Sequence, residues 1–293
     1  MQISKNGRRL IKRGTMSSVV VHLLMIMFVL IMALPLIYII STAFKPMDEL
    51  FKFPPEFIVR HPTFNNFFDL FSSLNGSEVP FTRYVFNSLF VAGGSVLLTV
   101  MVSCLGAYGL VKHAPPGAAI ISNIVVASLM FVPQITTIPI FLMVNQLHMQ
   151  NTYWALILPK VAVAFNFFLI QQFMGQVPDS FLESARLDGA KELTVFFKIV
   201  MPTIRPAWAT LIMYSFISTW NDYFSALIYT SSDNMKTLPL ALQTIAGGAA
   251  ATSIGRAGAV AAASFILVLL PVLIFLLMQK QVMETMAYTG IKS

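Results

Sequence analysis

Two charged side chains stand alone inside long apolar stretches: Lys160, directly after Pro159, and Asp222, in the run Trp220-Asn221-Asp222-Tyr223. A carboxylate near the middle of a membrane helix costs about 2.5–3.5 kcal/mol to insert, so Asp222 is expected to face protein or water. With Asn221 and the adjoining Tyr223 it can offer donors and acceptors to a hydroxyl-rich solute. It can equally hold a neighbouring helix or lie nearer a membrane surface, and sequence leaves both roles open. Lys160 can snorkel, line the same path or meet Asp222, since spacing along the chain does not report proximity.

A second constellation is the segment Pro178–Ala190, P-D-S-F-L-E-S-A-R-L-D-G-A. Ser180 followed by Glu183 has capping-box spacing, and the short helix it predicts puts Phe181, Leu182 and Ala185 on one side with Glu183 and Arg186 directed elsewhere. Gly189 stops or bends that helix. Leu193, Phe196, Phe197 and Val200 then recur at i, i+3, i+4 and i+7, which predicts an amphipathic helix ending near Met201, before Pro202. Charge is balanced across the loop: Arg186, Lys191, Lys198 and Arg205 against Asp179, Glu183, Asp188 and Glu192. It is either a surface made to be gripped by a protein cleft or a solvated helix pair on the bilayer.

Covalent chemistry finds no foothold. No phosphate-binding G-x-x-x-x-G-K-[ST] loop is present, and His22, His61, His113 and His148 are scattered, without metal or triad spacing. The single cysteine, Cys104, excludes an internal disulfide and reads as a small buried apolar residue. Not an enzyme, without metal or cofactor, is therefore the expectation.

The elements that must position these residues follow from the solvent. Of 293 residues 57% are hydrophobic and 11% charged, whereas a soluble domain carries about 25% charged residues. Uncharged or nearly uncharged runs at Val19–Ile40, Tyr84–Val111, Gly117–Val144, Tyr153–Met174, Ala207–Tyr229 and Gly258–Met278 are each long enough for about 20 helical residues across a hydrocarbon core of about 30 Å. Unpaired backbone groups are not tolerated in lipid, so the fold class is all-α: a polytopic membrane protein of six transmembrane helices. The first run follows a basic leader (Lys5, Arg8, Arg9, Lys12, Arg13) and exceeds a signal peptide's apolar core, which predicts a retained anchor.

The net charge of +7 reflects topology rather than nucleic-acid binding. With the N-terminus inside, the inner segments hold twelve Lys and Arg (the five of the leader, Lys112, Arg186, Lys191, Lys198, Arg205, Lys280 and Lys292) and the outer ones six (Lys45, Lys52, Arg60, Arg83, Lys236, Arg256). That bias predicts both termini in the cytoplasm. The organisation expected is a cytoplasmic segment at 1–18, a membrane domain at 19–279 with an outer loop at 45–83 and a cytoplasmic loop at 175–205, and a tail at 280–293. Ala246–Ala263, rich in Gly and Ala, suits either close helix contact or a flexible outer loop.

Glu183-Ser184-Ala185, Gly189, then Ile199, Met201 and Pro202 resemble the cytoplasmic E-A-A signature of the inner-membrane permease subunits of binding-protein-dependent ABC importers, in the carbohydrate-serving, MalG-like branch. Serine for alanine and methionine for leucine are departures that keep volume and helical tolerance. The resemblance runs from about Leu34 to Pro271 through Asn87-Ser88-Leu89, Leu105–Leu110, Pro133, Pro139, Asn151-Thr152, Trp220-Asn221-Asp222-Tyr223 and Thr237-Leu238-Pro239-Leu240. It implies a plasma or inner membrane location, a second homologous permease as heterodimer partner, two cytoplasmic ATPases that bind the ATP, and an external or periplasmic solute-binding protein that delivers a sugar. It also implies that Phe181, Leu182, Glu183, Ser184, Ala185, Arg186, Asp188 and Gly189 dock on an ATPase and move as a lever. Rival readings are an importer of amino acids or polyol phosphates, an ion-coupled secondary carrier, and a membrane scaffold. The scarcity of charge in the spans suits a neutral polyol, and the elaborate inner loop suits a carrier poorly.

Overall fold

The computed structural model describes residues 9–54, 56–72, 79–247 and 257–290. Lys5, Arg8, Arg256, Lys292 and the middle of the Gly/Ala-rich stretch lie outside them. Among the described residues the chain is helical and holds no strand. The helices are α1 (Arg9–Ala43), α2 (Met47–Leu50), α3 (Asn65–Ser72), α4 (Phe81–Lys112), α5 (Ala118–Ser128), α6 (Pro133–Gln146), α7 (Tyr153–Val161), α8 (Ala164–Met174) and α9 (Asp179–Leu187). They continue as α10 (Glu192–Thr203), α11 (Arg205–Trp220), α12 (Phe224–Tyr229), α13 (Leu238–Gly247) and α14 (Ala257–Gly290).

The helices form two compact units. One comprises α1, most of α3, the segment between them and the first turns of α14. From Ser18 to Ile40 almost every residue of α1 is exposed although nearly all are apolar, the pattern of a helix whose solvent is lipid. Its end is tied down by Asn66, whose amide donates to the carbonyls of Ala43 (2.9 Å) and Lys45 (2.7 Å). The buried Glu49 accepts from the backbone N–H groups of Arg60 and His61, both at 3.0 Å.

The other unit is built on α4, a 32-residue helix that packs against α7, α8 and α11. Its buried stripe is small and weakly polar (Ala92, Ser95, Thr99, Ser103, Ala107), which lets backbones approach closely. Gly106 shows why: a Cβ there would stand 2.8 Å from the Phe167 ring of α8. Cys104 is buried in the same core, beside Ile170, Met174, Phe196 and Leu211.

Among the described residues three helical segments are long and apolar enough to cross a membrane (Ser18–Ala43, Phe81–Lys112, Ala257–Met283), and the number rises to six if each of three bent helix pairs counts once. The expected third span is broken: α5 and α6 meet at 111°. Pro133 begins α6 at a position where its missing N–H costs nothing. The fourth bends by 44° between α7 and α8, just after Pro159. The fifth does not run unbroken from Ala207 to Tyr229, because α11 stops at Trp220 and the chain resumes as α12 only at Phe224. A hydropathy window averages composition and is blind to backbone direction, so these breaks were outside its reach. A further departure is at Pro202: α10 does not end before it but runs to Thr203. A π-helical turn at Phe196–Val200 widens the preceding turn, and there the proline ring is accommodated.

Asn87 is fully buried and donates at 2.8 Å to the carbonyls of both Asn234 and Lys236, while accepting from the Tyr153 hydroxyl, also at 2.8 Å. Replacing Asn87→Leu leaves buried groups unpaired at about 1–3 kcal/mol each. The thermal midpoint of the detergent-solubilised protein should therefore drop clearly; an unchanged midpoint would show that this staple carries no stability.

Candidate functional site

The 178–205 loop is seated on the end of α4. Lys112 donates to the Val177 carbonyl (2.6 Å) and pairs with Asp179 (2.7 Å). The Tyr108 hydroxyl donates to Glu192 at 2.7 Å, and Glu192 is also gripped by the Arg186 guanidinium at 2.8 and 3.3 Å. His113 stands 3.4 Å from the same carboxylate. The Arg186 guanidinium, with Tyr108 behind it, holds the Glu192 carboxyl below its ordinary range, so the pair is fully charged at neutral pH.

Helix α9 starts two residues earlier than capping-box spacing predicts. Pro178 precedes it in an extended conformation and Asp179 occupies its first turn, where a carboxylate complements the helix dipole. Ser180 is thus inside the helix and does not cap it; its carbonyl accepts from the Ser184 hydroxyl at 2.8 Å. Gly189 turns the chain with φ +78°, in the left-handed region expected of that position. Trp208 closes the far end by donating to the Met201 carbonyl at 2.9 Å across the 79° elbow between α10 and α11.

The faces of α9 differ from the expectation. Leu182 is 2% exposed and packs with Val195, Phe196 and Val200 in the chain's own core, with Ala185 against the same cluster. Leu182 presents no free surface, and Ala185 is half-buried. The reason is that α9 needs an apolar stripe to hold it to α10 and α4, and i, i+3 spacing supplies it from Leu182 and Ala185. Arg186 likewise is committed within the loop, to Glu192. What faces outward is Phe181, 54% exposed, and Leu187, 88% exposed, together with the carboxylates of Glu183 and Asp188, which form no ion pair among the described residues. Leu187 was missed by periodicity because it sits beside the Gly189 turn, where a single exposed leucine breaks no pattern. In α10 the buried stripe is Val195, Phe196 and Val200, while Leu193 and Phe197 of the expected stripe face out.

A second site lies where the lone charges meet. Lys160 and Asp222 form an ion pair, each side chain about one-fifth exposed. Asp222 also accepts from the Ser225 N–H at 3.1 Å, holding the first turn of α12. Of the four expected pathway residues, Lys160 lines a cavity of about 310 Å³. Asn221 instead donates to the Ile217 carbonyl at 2.9 Å, and Tyr223 is exposed beside the Phe224 ring. The cavity is bordered also by Asn166, Ser215, Ser218 and Thr219, which composition gave no means to group. No cluster of His, Cys, Asp and Glu able to hold a metal occurs among the described residues.

Because Leu182 is core and Leu187 is surface, Leu182→Ala should cost about 2–5 kcal/mol of stability, while Leu187→Ala should stay within about 0.5 kcal/mol. Thermal melts of the two purified variants check this, and equal losses would contradict the assignment of faces.

Residues 109–282 match the model of the family described as binding-protein-dependent transport system inner membrane component. The chain is 32% identical over 221 residues to the polygalacturonan/rhamnogalacturonan transport system permease protein YtcP of Bacillus subtilis, covering 75% of each chain. It is 28% identical over 273 residues to the arabinooligosaccharides transport system permease protein AraQ of the same species, covering 92% of this chain and 94% of the relative. In fold it is similar to a chain from the crystal structure of a bacterial ABC transporter involved in import of the acidic polysaccharide alginate, with TM-score 0.75, 22% identity, and coverage of 96% and 99%. A mainly apolar helical chain whose folded 178–205 loop carries the E-S-A…G pattern, and whose matched segment exceeds half its length, belongs to the family of inner membrane components of binding-protein-dependent transport systems, which are transport subunits rather than enzymes.

Proposed function

We propose that the chain is one of two channel-forming permease subunits of an ATP-driven importer, and that its cargo is a sugar or oligosaccharide handed over by an external solute-binding protein. The names of the relatives support the cargo class. In this reading six spans, some of them broken, form the 19–279 membrane domain. The 1–18 and 280–293 segments and the 175–205 loop lie in the cytoplasm. The second permease is a homologous chain, and two ATPase subunits bind and hydrolyse the ATP that this chain has no loop to hold.

The observation that carries the reading is the outward side of α9. Phe181, Glu183, Ser184, Leu187 and Asp188 offer apolar contact with two unpaired carboxylates beside it, the makings of an interface with an apolar centre and charged rim. The inward side (Leu182, Ala185) and the pairs Lys112–Asp179 and Arg186–Glu192 fasten that surface to α4, so force applied to α9 reaches the membrane helices without being absorbed by a loose loop. Gly189 makes the turn into α10, and the Trp208 bond stiffens the elbow into α11. Closure of the ATPases would then bias the membrane helices between inward-open and outward-open packings. Lys160 and Asp222, at the cavity, lie on the path the solute takes.

Co-expression with the partner subunits tests this. Leu187→Asp and Phe181→Asp should abolish co-purification of the ATPase and sugar uptake while membrane insertion persists. Gly189→Val, strained by a β-branched residue at positive φ, should reduce both. Retention of ATPase binding and uptake in all three would overturn the lever assignment.

A further inference from the structure

The 310 Å³ cavity is lined where three interruptions of the membrane helices converge: Pro133 at the start of α6, Pro159 to Val163 across the α7–α8 bend, and Thr219 to Ser225 across the gap between α11 and α12. Interrupted helices at membrane depth are tolerated where they border a polar space. This one has the small end of ligand-site volume, about 300–1,000 Å³, and suits one sugar ring better than a chain.

Its lining is chemically specific. Ser215, Ser218 and Thr219 recur at i, i+3 and i+4 along one side of α11, and none of their hydroxyls has a hydrogen-bond partner among the described residues. Opposite, Asn166 of α8 is 2% exposed and its Oδ1 is buried without a partner. A buried amide oxygen left unpaired is costly, and a ligand hydroxyl is the donor it lacks. Tyr214, Phe224 and Tyr229 supply aromatic surface. Lys160 is the one charged residue of the lining, and Asp222 already neutralises it.

We propose that this cavity is a ring-recognising subsite of the translocation path, and that the Lys160–Asp222 pair makes it selective for neutral sugars over uronates. The inference rests on the importer reading and goes beyond it, because the relatives' names include both acidic and neutral polysaccharides. A neutral ring meets hydroxyls, an amide and aromatic faces with no charge to compensate. A uronate brings a carboxylate into a site of net zero charge. It must remain unpaired, or displace Asp222 from Lys160 and leave that carboxylate unpaired; either way one buried negative charge is left over.

The test is ligand binding by the complete permease assembly in nanodiscs, without the external binding protein, whose own selectivity would otherwise intervene. The probes are galactotriose and trigalacturonate, which differ only in the carboxylates. The wild type should bind the neutral sugar about tenfold or more tightly over the uronate, as expected for one uncompensated buried charge. Asp222→Asn frees Lys160 and should narrow or reverse that ratio by about tenfold. The double variant Lys160→Gln/Asp222→Asn keeps the site neutral and should retain the wild-type preference, which covers the case where the single variant is too unstable to purify. Asn166→Leu should weaken galactotriose about tenfold. Equal or better uronate binding by the wild type, an unchanged ratio in a folded Asp222→Asn assembly, or uronate preference in the double variant would each overturn the proposal, as would failure of the assembly to bind either sugar. ATPase co-purification measured on the same samples separates the outcomes: its loss condemns the importer reading, whereas its retention with unaltered sugar selectivity condemns the subsite alone.

Discussion

Backbone groups released wherever a helix breaks must be paired without help from water, and this requirement organises the molecule. A broken span in lipid frees N–H and C=O groups that cost several kcal/mol each if left bare. The chain meets the same need with a few short amides at helix ends and in the connections, and with one carboxylate at a break. Asn66 takes the carbonyls at the end of α1, and Asn87 takes those of Asn234 and Lys236. Asn151, itself in the left-handed region, accepts from the N–H groups of Ser231 (2.7 Å) and Ser232 (3.0 Å). Asp222 serves the first turn of α12. Each bond joins segments far apart in sequence, apart from the last, so pairing the backbone and fixing the helix arrangement are one act.

This explains which parts were legible in the sequence. Three long apolar helices could be read from composition, because lipid exposure demands an unbroken apolar surface and α1 displays one around its whole circumference. The pairs Asn87-Ser88 with Thr237-Leu238, and Asn151 with the end of α12, could be recognised as motifs but not as partners. The structure brings the first together through Asn87 and through Ser88, which accepts from the Leu238 N–H at 2.7 Å. The breaks at Leu129–Val132 and Ala162–Val163 were illegible, since the residues there are as apolar as their neighbours, and the one at Asn221–Tyr223 showed only as a charge within an apolar run. Lys160 and Asp222 stood out singly, and nothing in a one-dimensional pattern could say that they touch.

The loop shows the complementary limit. Periodicity correctly marks an apolar stripe on α9 but cannot say whether that stripe serves this chain or another. Leu182 and Leu187 are chemically identical and five residues apart, yet one is core and the other solvent-facing. What decides between them is the rest of the loop: once α10 lays Val195, Phe196 and Val200 against α4, the inward face of α9 is spoken for. The exposed remainder is then small and mixed, apolar with carboxylate. That mixture is poorly suited to lying on a bilayer, whose surface would favour lysine and arginine beside the apolar groups.

The loop and the cavity lie at opposite ends of one connected path. From Gly189 the chain enters α10, turns the elbow held by Trp208, and becomes α11, whose Ser215, Ser218 and Thr219 border the cavity before the helix stops at Trp220. Trp220 is buried and donates to the Leu267 carbonyl of α14 at 2.9 Å, so the cavity end of α11 is anchored as firmly as the loop end. A rigid helix pinned at both ends transmits displacement rather than damping it. The break that follows, at Asn221–Tyr223, is where that displacement meets a joint, and the Lys160–Asp222 pair spans the joint. In the proposed reading a displacement of α9 would have α11 as its direct covalent route to the cavity, and the residues that would sense it are those that line the polar space.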